Sequence, residues 1–135
     1  MNDLHDLIPV DKHDLGRAQA AVDAGYPAVE PILGPLMEWL QDGNWPVARV
    51  LTPFLQSIGA PLAPHIWRVL RSNDRVWQYW VIGLLIPALP IETAVAFRKE
   101  LERIRYTPLP DERGERLDER ASEVMTHFDW GREHA

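Results

Sequence analysis

The sequence has no cysteine, no strand-like alternation of apolar and polar residues, and no apolar stretch long enough to cross a bilayer. Without cysteine, disulfide bonds, thiolate nucleophiles and cysteine-ligated zinc or iron–sulfur sites are excluded. The run 76–91 carries no charge over sixteen residues, but Gln78, Pro87 and Pro90 interrupt it. Since a membrane-spanning helix needs about 20 residues, we expect a buried helix here rather than a membrane anchor.

The motifs of several common enzyme classes are also missing. The sequence contains no glycine-rich phosphate loop, no G-x-S-x-G nucleophile elbow and no H-E-x-x-H helix. We therefore assign no catalytic residue, no metal ligand and no cofactor, and the balance of the sequence is against an enzyme. Residues 1–10 have neither a basic region nor an apolar run, so we expect no secretory signal and a cytoplasmic protein.

What is present fits one soluble domain over residues 1–135, with 46% hydrophobic and 25% charged residues. The net charge of −6 argues against attraction of the whole surface to nucleic acid or to anionic lipid. The charges are unevenly distributed along the chain. Acidic and basic residues number eight and two in residues 1–45, four and eight in 46–110, and eight and four in 111–135.

Two interpretations of this basic middle segment remain open. It can form a polarised surface that orients a charged partner. Alternatively, its basic residues are only the solvated face of one helix, on which Arg98, Lys99, Arg103 and Arg105 alternate with glutamates.

The apolar spacing of three and four residues predicts helices throughout, and hence an all-α fold. Asp14 and Asp74 are expected to begin helices, Asn44 is expected to cap the helix that opens at Pro46, and Gly25 is expected to end one. Pro31 and Pro35 predict a broken first turn or a kink. The predicted helices are 14–24, a segment from Tyr26 to Gly43, 46–58, a helix from Pro61 or Pro64 to Leu70, 75–85, Ile91–Tyr106 and 115–128.

A weak internal repeat with a period of 32 to 33 residues connects two of these segments. It is carried by the following pairs: Pro31 with Pro64, Leu36 with Val69, Met37 with Leu70, Asp42 with Asp74 and Trp45 with Trp77. This period predicts a short HEAT-like α-solenoid of about three helix pairs with a C-terminal capping helix. Residues 1–8 are expected to be frayed and 107–113 to be a linker; a compact irregular bundle is the alternative.

Three groups of residues are candidate binding sites. His13 and Asp14, in a sequence that echoes Asp3-Leu4-His5-Asp6, can bind a metal or act as a base with its orienting acid, or Asp14 can cap a helix. Asp42, Asn44 and Trp45 can meet a ligand from a turn, or can form only a tight turn between helices. Trp77, Tyr79 and Trp80 place aromatic rings on two faces of one helix, so at least one is expected to line a groove unless all are core.

The motifs quoted so far also carry a family resemblance. Asp11-Lys12-His13-Asp14, Glu38-Trp39-Leu40-Gln41-Asp42 with Asn44-Trp45-Pro46-Val47-Ala48, and Trp77-Gln78-Tyr79-Trp80 resemble a bacterial family of domains of unknown function with a HEAT-like helical fold. The resemblance covers about residues 7–107 and departs at Gln78, where the family pattern has lysine. It implies the helical fold and brings no activity with it.

Three functional hypotheses follow. The first is a non-enzymatic module that binds another protein as an adaptor, regulator or immunity-type partner. The second is a small-ligand or metal-binding domain around His13, Asp14, Asp42, Asn44 and Trp45. The third is a HEAT-like nucleic-acid enzyme using a face that contains Arg49, Arg68, Arg71 and Arg75 with Asp42 or Asp74. We favour the first, because it needs no catalytic group and uses the surplus aromatic residues.

Overall fold

The computed structural model describes residues 3–131, which form helices joined by short turns and include no β-strand. The all-α prediction is confirmed. The α-helices are α1 (Leu15–Ala24), α2 (Leu33–Met37), α3 (Pro46–Ile58), α4 (Ala63–Leu70), α5 (Arg75–Leu85), α6 (Ile91–Ala94), α7 (Arg98–Tyr106), α8 (Pro110–Gly114) and α9 (Leu117–His127). Single 3₁₀ turns lie at Leu4–Leu7, Glu30–Ile32, Glu38–Gln41, Ala60–Leu62, Ile86–Ala88 and Val95–Phe97.

Two aspartates begin helices as predicted. The Asp14 carboxylate accepts a hydrogen bond from the backbone N–H of Arg17, and the Asp74 carboxylate accepts one from that of Trp77. Each satisfies one of the N–H groups that the first turn of a helix leaves unpaired. Gly25 ends α1 with a φ of 76°, a conformation that glycine adopts at little cost.

The prediction that Asn44 caps α3 is wrong. The N-cap residue is Trp45, and no side chain caps this helix. Pro46 has no N–H to satisfy, and the N–H of Val47 donates to the carbonyl of Lys12 at 3.1 Å. A distant backbone segment therefore supplies the acceptor that a capping side chain would otherwise provide.

Prolines break the segment before α3, as expected. Pro31 lies in the 3₁₀ turn Glu30–Ile32 and Pro35 lies within α2, which has only five residues before a second 3₁₀ turn begins at Glu38. This segment, residues 30–41, is hereafter the broken helix.

Other boundaries differ from the sequence-based ones. The predicted helix Ile91–Tyr106 is helical throughout but consists of α6, a 3₁₀ turn and α7. The predicted linker 107–113 includes most of the short helix α8, and Glu112 within it is buried. Of the segment predicted to be frayed, residues 1 and 2 lie outside the described residues, while Leu4, Leu7 and Ile8 pack against the core.

Helix α5 lies at the centre of the packing. It contacts α3, α4 and α9, while α1 packs on α3, α2 on α4 and α7 on α9. Its buried side chains Val81, Ile82 and Leu85 join a continuous apolar core. Among the described residues, no helix combines the length and apolar character that crossing a membrane requires.

Candidate functional site

Two neighbouring recesses lie along the broken helix and share Pro35 and Glu38. The first, the His65 recess, has a volume of about 150 Å³ and is lined by Gly34, Pro35, Met37, Glu38, His65, Arg68, Val69 and Trp77. The second, the Trp39–Trp45 recess, has a volume of about 320 Å³ and is lined by Ile8, Pro9, Pro35, Glu38, Trp39, Gln41 and Trp45. Their shared lining shows that the two recesses are adjacent, and together they are called the groove below.

The broken helix and α4 form the walls of the His65 recess. Gly34 lets them approach closely, since a Cβ atom at this position would lie 3.1 Å from a guanidinium nitrogen of Arg68 and 3.9 Å from Nδ1 of His65. The indole N–H of Trp77 donates to the carbonyl of Met37 at 3.0 Å and so fixes α5 against the same segment. Three helical segments therefore hold this recess in place.

His65 is the unusual polar group of this recess. Its Nδ1 atom is buried and has no hydrogen-bond partner. Burial of the imidazole, reinforced by the positive charge of Arg68, lowers its pKa below the ordinary 6.5, and Glu30 acts in the opposite direction. The ring is therefore neutral at physiological pH and retains one unused nitrogen.

Two tryptophans dominate the Trp39–Trp45 recess. Their rings meet edge to face at a centroid distance of 5.8 Å and an interplanar angle of 66°. Pro9, from the segment before α1, faces the same recess together with Pro35. Flat aromatic and proline surfaces of this kind suit an extended, proline-containing chain or another apolar segment.

A third recess, the Tyr79 recess, shares no lining residue with the other two. It has a volume of about 290 Å³ and is lined by Val76, Tyr79, Trp80, Glu115 and Arg116. The guanidinium of Arg120 lies 4.0 Å from the centroid of the Tyr79 ring and donates to the carbonyl of Tyr79. Arg120 therefore holds the Tyr79 ring in place from outside the residues that line the recess.

The structure separates the eight residues that the sequence singles out. Trp45 lines the Trp39–Trp45 recess, Trp77 lines the His65 recess, and Tyr79 and Trp80 line the Tyr79 recess. Trp45 and Trp77 therefore face the two neighbouring recesses along the broken helix, whereas Tyr79 and Trp80 face a separate one.

The four polar candidates lie in turns. Asp14 caps α1 and also accepts from the N–H of Val10, and His13 is exposed next to it. The Asp42 carboxylate accepts from the N–H of Asn44 at 2.8 Å, which shapes the turn before α3. None of these four residues lines one of the three recesses described above, and their contacts are those of turn and cap residues.

No cluster of three or more histidine, aspartate or glutamate side chains within residues 3–131 is arranged to hold a metal ion. The four arginines of the nucleic-acid hypothesis are also not equivalent. Arg75 pairs with Asp111 at 2.9 Å, Arg71 lies over the ring of Trp67, and Arg68 lines the His65 recess.

Sequence reasoning missed the most unusual lining residues, His65 and Glu38, and considered Arg68 only for nucleic acid. One signal was available for His65. The repeat pairs His65 with Ile32, so a polar residue occupies a position that is apolar and buried in the other copy. The three-residue spacing of His65 and Arg68 also places both on one face of α4.

Gln78 lies outside these recesses and is 1% exposed. Its amide group donates to the carbonyls of Val69, Leu70 and Ser72 at the end of α4. Its role in the fold is thus to satisfy the end of a neighbouring helix.

The chain was compared with known proteins. No curated protein matches it. A family model does match residues 7–125, which extends the predicted resemblance of 7–107 through most of α9. The matched range contains all three recesses, and the family model covers most of the chain. The chain therefore belongs to the family described as Domain of unknown function (DUF5071).

Proposed function

We propose that this protein is a non-enzymatic interaction module, an adaptor, regulator or immunity-type protein, that binds an extended segment of another protein. The binding surface is the groove formed by the His65 recess and the Trp39–Trp45 recess. The observation that carries the proposal is that these adjacent recesses share Pro35 and Glu38 and are lined by three tryptophans.

The groove has the composition of a peptide-binding site. Tryptophan is enriched among the residues that contribute most to protein–protein binding, because its large rigid ring is buried at low entropic cost. The Trp39–Trp45 recess supplies apolar contact area, and the His65 recess adds a charged group and an unused polar nitrogen. Such a combination supports both affinity and selectivity.

The charge distribution favours a protein over a nucleic acid as the partner. Arg75 is engaged by Asp111 and Glu112, which removes it from any phosphate-binding face. The groove contains one arginine, Arg68, beside the acidic Glu38. A nucleic-acid site needs several cations that follow the phosphate backbone.

For the architecture, we propose the short HEAT-like solenoid that the repeat predicts. Contacts of α1 with α3, of α3 with α5, and of α2 with α4 follow the order of stacked helix pairs. Helix α9 packs on α5 and α7 and covers the last pair, as a capping helix does.

The proposal is tested by panning a phage-displayed library of random linear peptides on the full chain. Selected peptides are then titrated against Trp45→Ala and Trp45→Leu, with Tyr106→Ala as the matched control because Tyr106 is an exposed aromatic residue outside the groove. We expect enrichment of peptides with proline or apolar residues and a loss of at least about tenfold in affinity for both Trp45 variants.

Circular dichroism and thermal unfolding establish that each variant is folded, and Trp45→Leu retains apolar bulk if Trp45→Ala does not fold. Tyr106→Ala should bind as the wild type does. Failure to enrich any peptide, or equal binding by wild type and a folded Trp45 variant, would contradict the proposed function.

A further inference from the structure

We infer that the His65 recess is a carboxylate-binding subsite, in which Arg68 and His65 receive an aspartate or glutamate side chain of the bound segment. This inference rests on the proposed function, since it states which type of residue of the bound segment the His65 recess selects. The Trp39–Trp45 recess would hold the apolar or proline residues of the same segment.

The first observation is the unused nitrogen of His65. Buried polar atoms of proteins almost always have a hydrogen-bond partner, and Nδ1 of His65 has none. In the tautomer that carries hydrogen on Nδ1, this atom is a donor with no acceptor in the described chain, and a ligand reaches it only by displacing the side chains that enclose it. A carboxylate oxygen that enters the recess in this way supplies the acceptor.

The second observation is that Arg68 converges on the same place. A single added carbon on Gly34 would approach both the Arg68 guanidinium, at 3.1 Å, and Nδ1 of His65, at 3.9 Å. Arg68 is exposed and belongs to none of the ion pairs found among residues 3–131. A guanidinium binds a planar carboxylate through two parallel hydrogen bonds, so the recess presents a cation and a neutral donor to one ligand group.

The third observation is the size and the remaining charge of the recess. With a volume of about 150 Å³, the recess has room for a carboxylate with its adjoining methylene groups. Glu38 borders the recess, and Glu30 influences His65 electrostatically. These carboxylates oppose a highly charged anion, whereas Glu38 can accept N–H groups of a peptide backbone beside the bound acid.

The subsite is tested first without any peptide, with acetate as the probe and nuclear magnetic resonance of the histidine rings as the readout. The His65 signals are identified by their loss in His65→Phe, which keeps ring volume and removes both nitrogens. We expect acetate to shift these signals saturably and to raise the pKa of His65, since a bound anion favours the imidazolium. Sodium chloride at equal ionic strength is the control and should do neither.

Arg68→Gln should abolish the acetate response, and Arg113→Gln, which removes an exposed arginine of α8, should preserve it. The same acetate response in Arg68→Gln, or no response in the wild type, would overturn the inference.

Peptide titrations then show whether the subsite selects an acidic residue. For a peptide from the library, replacement of its aspartate or glutamate by asparagine or glutamine should weaken binding by at least about tenfold. In Arg68→Gln this replacement should make little difference, and Glu38→Gln should tighten binding of the acidic peptide.

The two proposals fail in different ways. Peptides that bind through Trp45 but tolerate loss of every acidic residue would refute the carboxylate subsite and leave the interaction module intact. An acetate response in a protein that enriches no peptide would refute the interaction module and leave a small-carboxylate site.

Discussion

At the scale of single residues, the buried side-chain amide of Gln78 caps the C-terminal end of helix α4. Gln78 lies on α5, yet its side-chain nitrogen donates to the Ser72 carbonyl at 2.7 Å and to the carbonyls of Leu70 and Val69 at longer distances. The side-chain oxygen accepts from Arg75 at 3.1 Å. The last carbonyls of a helix have no partner within it, so this contact fixes α4 against α5.

We expect Gln78→Leu to lower the free energy of unfolding by about 1–3 kcal/mol, because it removes the side-chain donor of the half-buried Leu70 and Ser72 carbonyls. The Val69 carbonyl keeps the N–H and the hydroxyl group of Ser72 as donors. Urea unfolding followed by circular dichroism measures the change. Gln19→Leu is the matched control, since Gln19 is exposed on α1, and its effect should stay within about 0.5 kcal/mol. Equal stabilities of the two variants would show that water replaces the amide.

At the scale of helical elements, Asp74 and Asn44 are both predicted from the sequence to cap a helix, but only Asp74 does so. Asp74 accepts the N–H of Trp77 and begins α5, whereas α3 begins at Pro46 with its first available N–H bonded to the Lys12 carbonyl. The capping preference of asparagine is local, while the bond from Val47 to Lys12 depends on how distant segments pack.

Asp74→Ala should therefore lower the free energy of unfolding by about 1 kcal/mol, whereas Asn44→Ala should change it by less than about 0.5 kcal/mol. Thermal or urea unfolding of the two variants side by side makes the comparison. A larger loss for Asn44→Ala than for Asp74→Ala would contradict the assignment of caps.

The irregular backbone of the broken helix coincides with the groove on the surface. Pro31 and Pro35 interrupt the regular hydrogen-bonding pattern, so residues 30–41 alternate between 3₁₀ and α-helical turns. Pro35 borders both recesses and Gly34 borders the His65 recess. The groove thus lies where the helix departs from regularity.

At the scale of the whole molecule, some of the charges that are segregated along the sequence form ion pairs with one another in the fold. Glu112, at 1% exposure, accepts from Arg103 at 2.6 Å, and Arg75 pairs with Asp111 at 2.9 Å. These bonds join α8 to α5 and α7. Basic residues of the middle segment therefore meet acidic residues of the C-terminal segment within one chain.

This network predicts acid sensitivity. Burial alone would raise the pKa of Glu112, but hydrogen bonds from Arg103 and from the Leu109 N–H outweigh it and hold the pKa below the usual 4.5. A carboxyl group with a lowered folded-state pKa contributes stability above about pH 4.5 that is lost as pH falls through the folded-state value. We therefore expect the free energy of unfolding to decrease when the pH is lowered below about 4.5.

Glu112→Gln should lower the free energy of unfolding by about 1–3 kcal/mol at neutral pH. It should also reduce the slope with which this free energy decreases toward acidic pH. Urea unfolding at a series of pH values measures both effects. Glu119→Gln, on the exposed face of α9, is the control and should preserve the wild-type slope. An unchanged slope in Glu112→Gln would assign the pH dependence to other groups.

Sequence alone determined the all-α fold class and the helix starts at Asp14 and Asp74, because apolar periodicity and capping are local properties of the chain. It also predicted that at least one of Trp77, Tyr79 and Trp80 lines a groove unless all three belong to the core. It did not distinguish which of these aromatic residues share a groove, since that depends on how separate helices approach each other.

Tertiary structure decided the features that carry the proposals. The Lys12 carbonyl replaces an Asn44 cap, Glu112 joins two arginines from other helices, and Gly34 brings the broken helix onto His65 and Arg68. All of these contacts join different elements, and all except Arg103–Glu112, which spans nine residues, join residues that are far apart in sequence. Local propensity carries no information about such contacts, because they form only when whole helices pack together and bury their shared apolar faces.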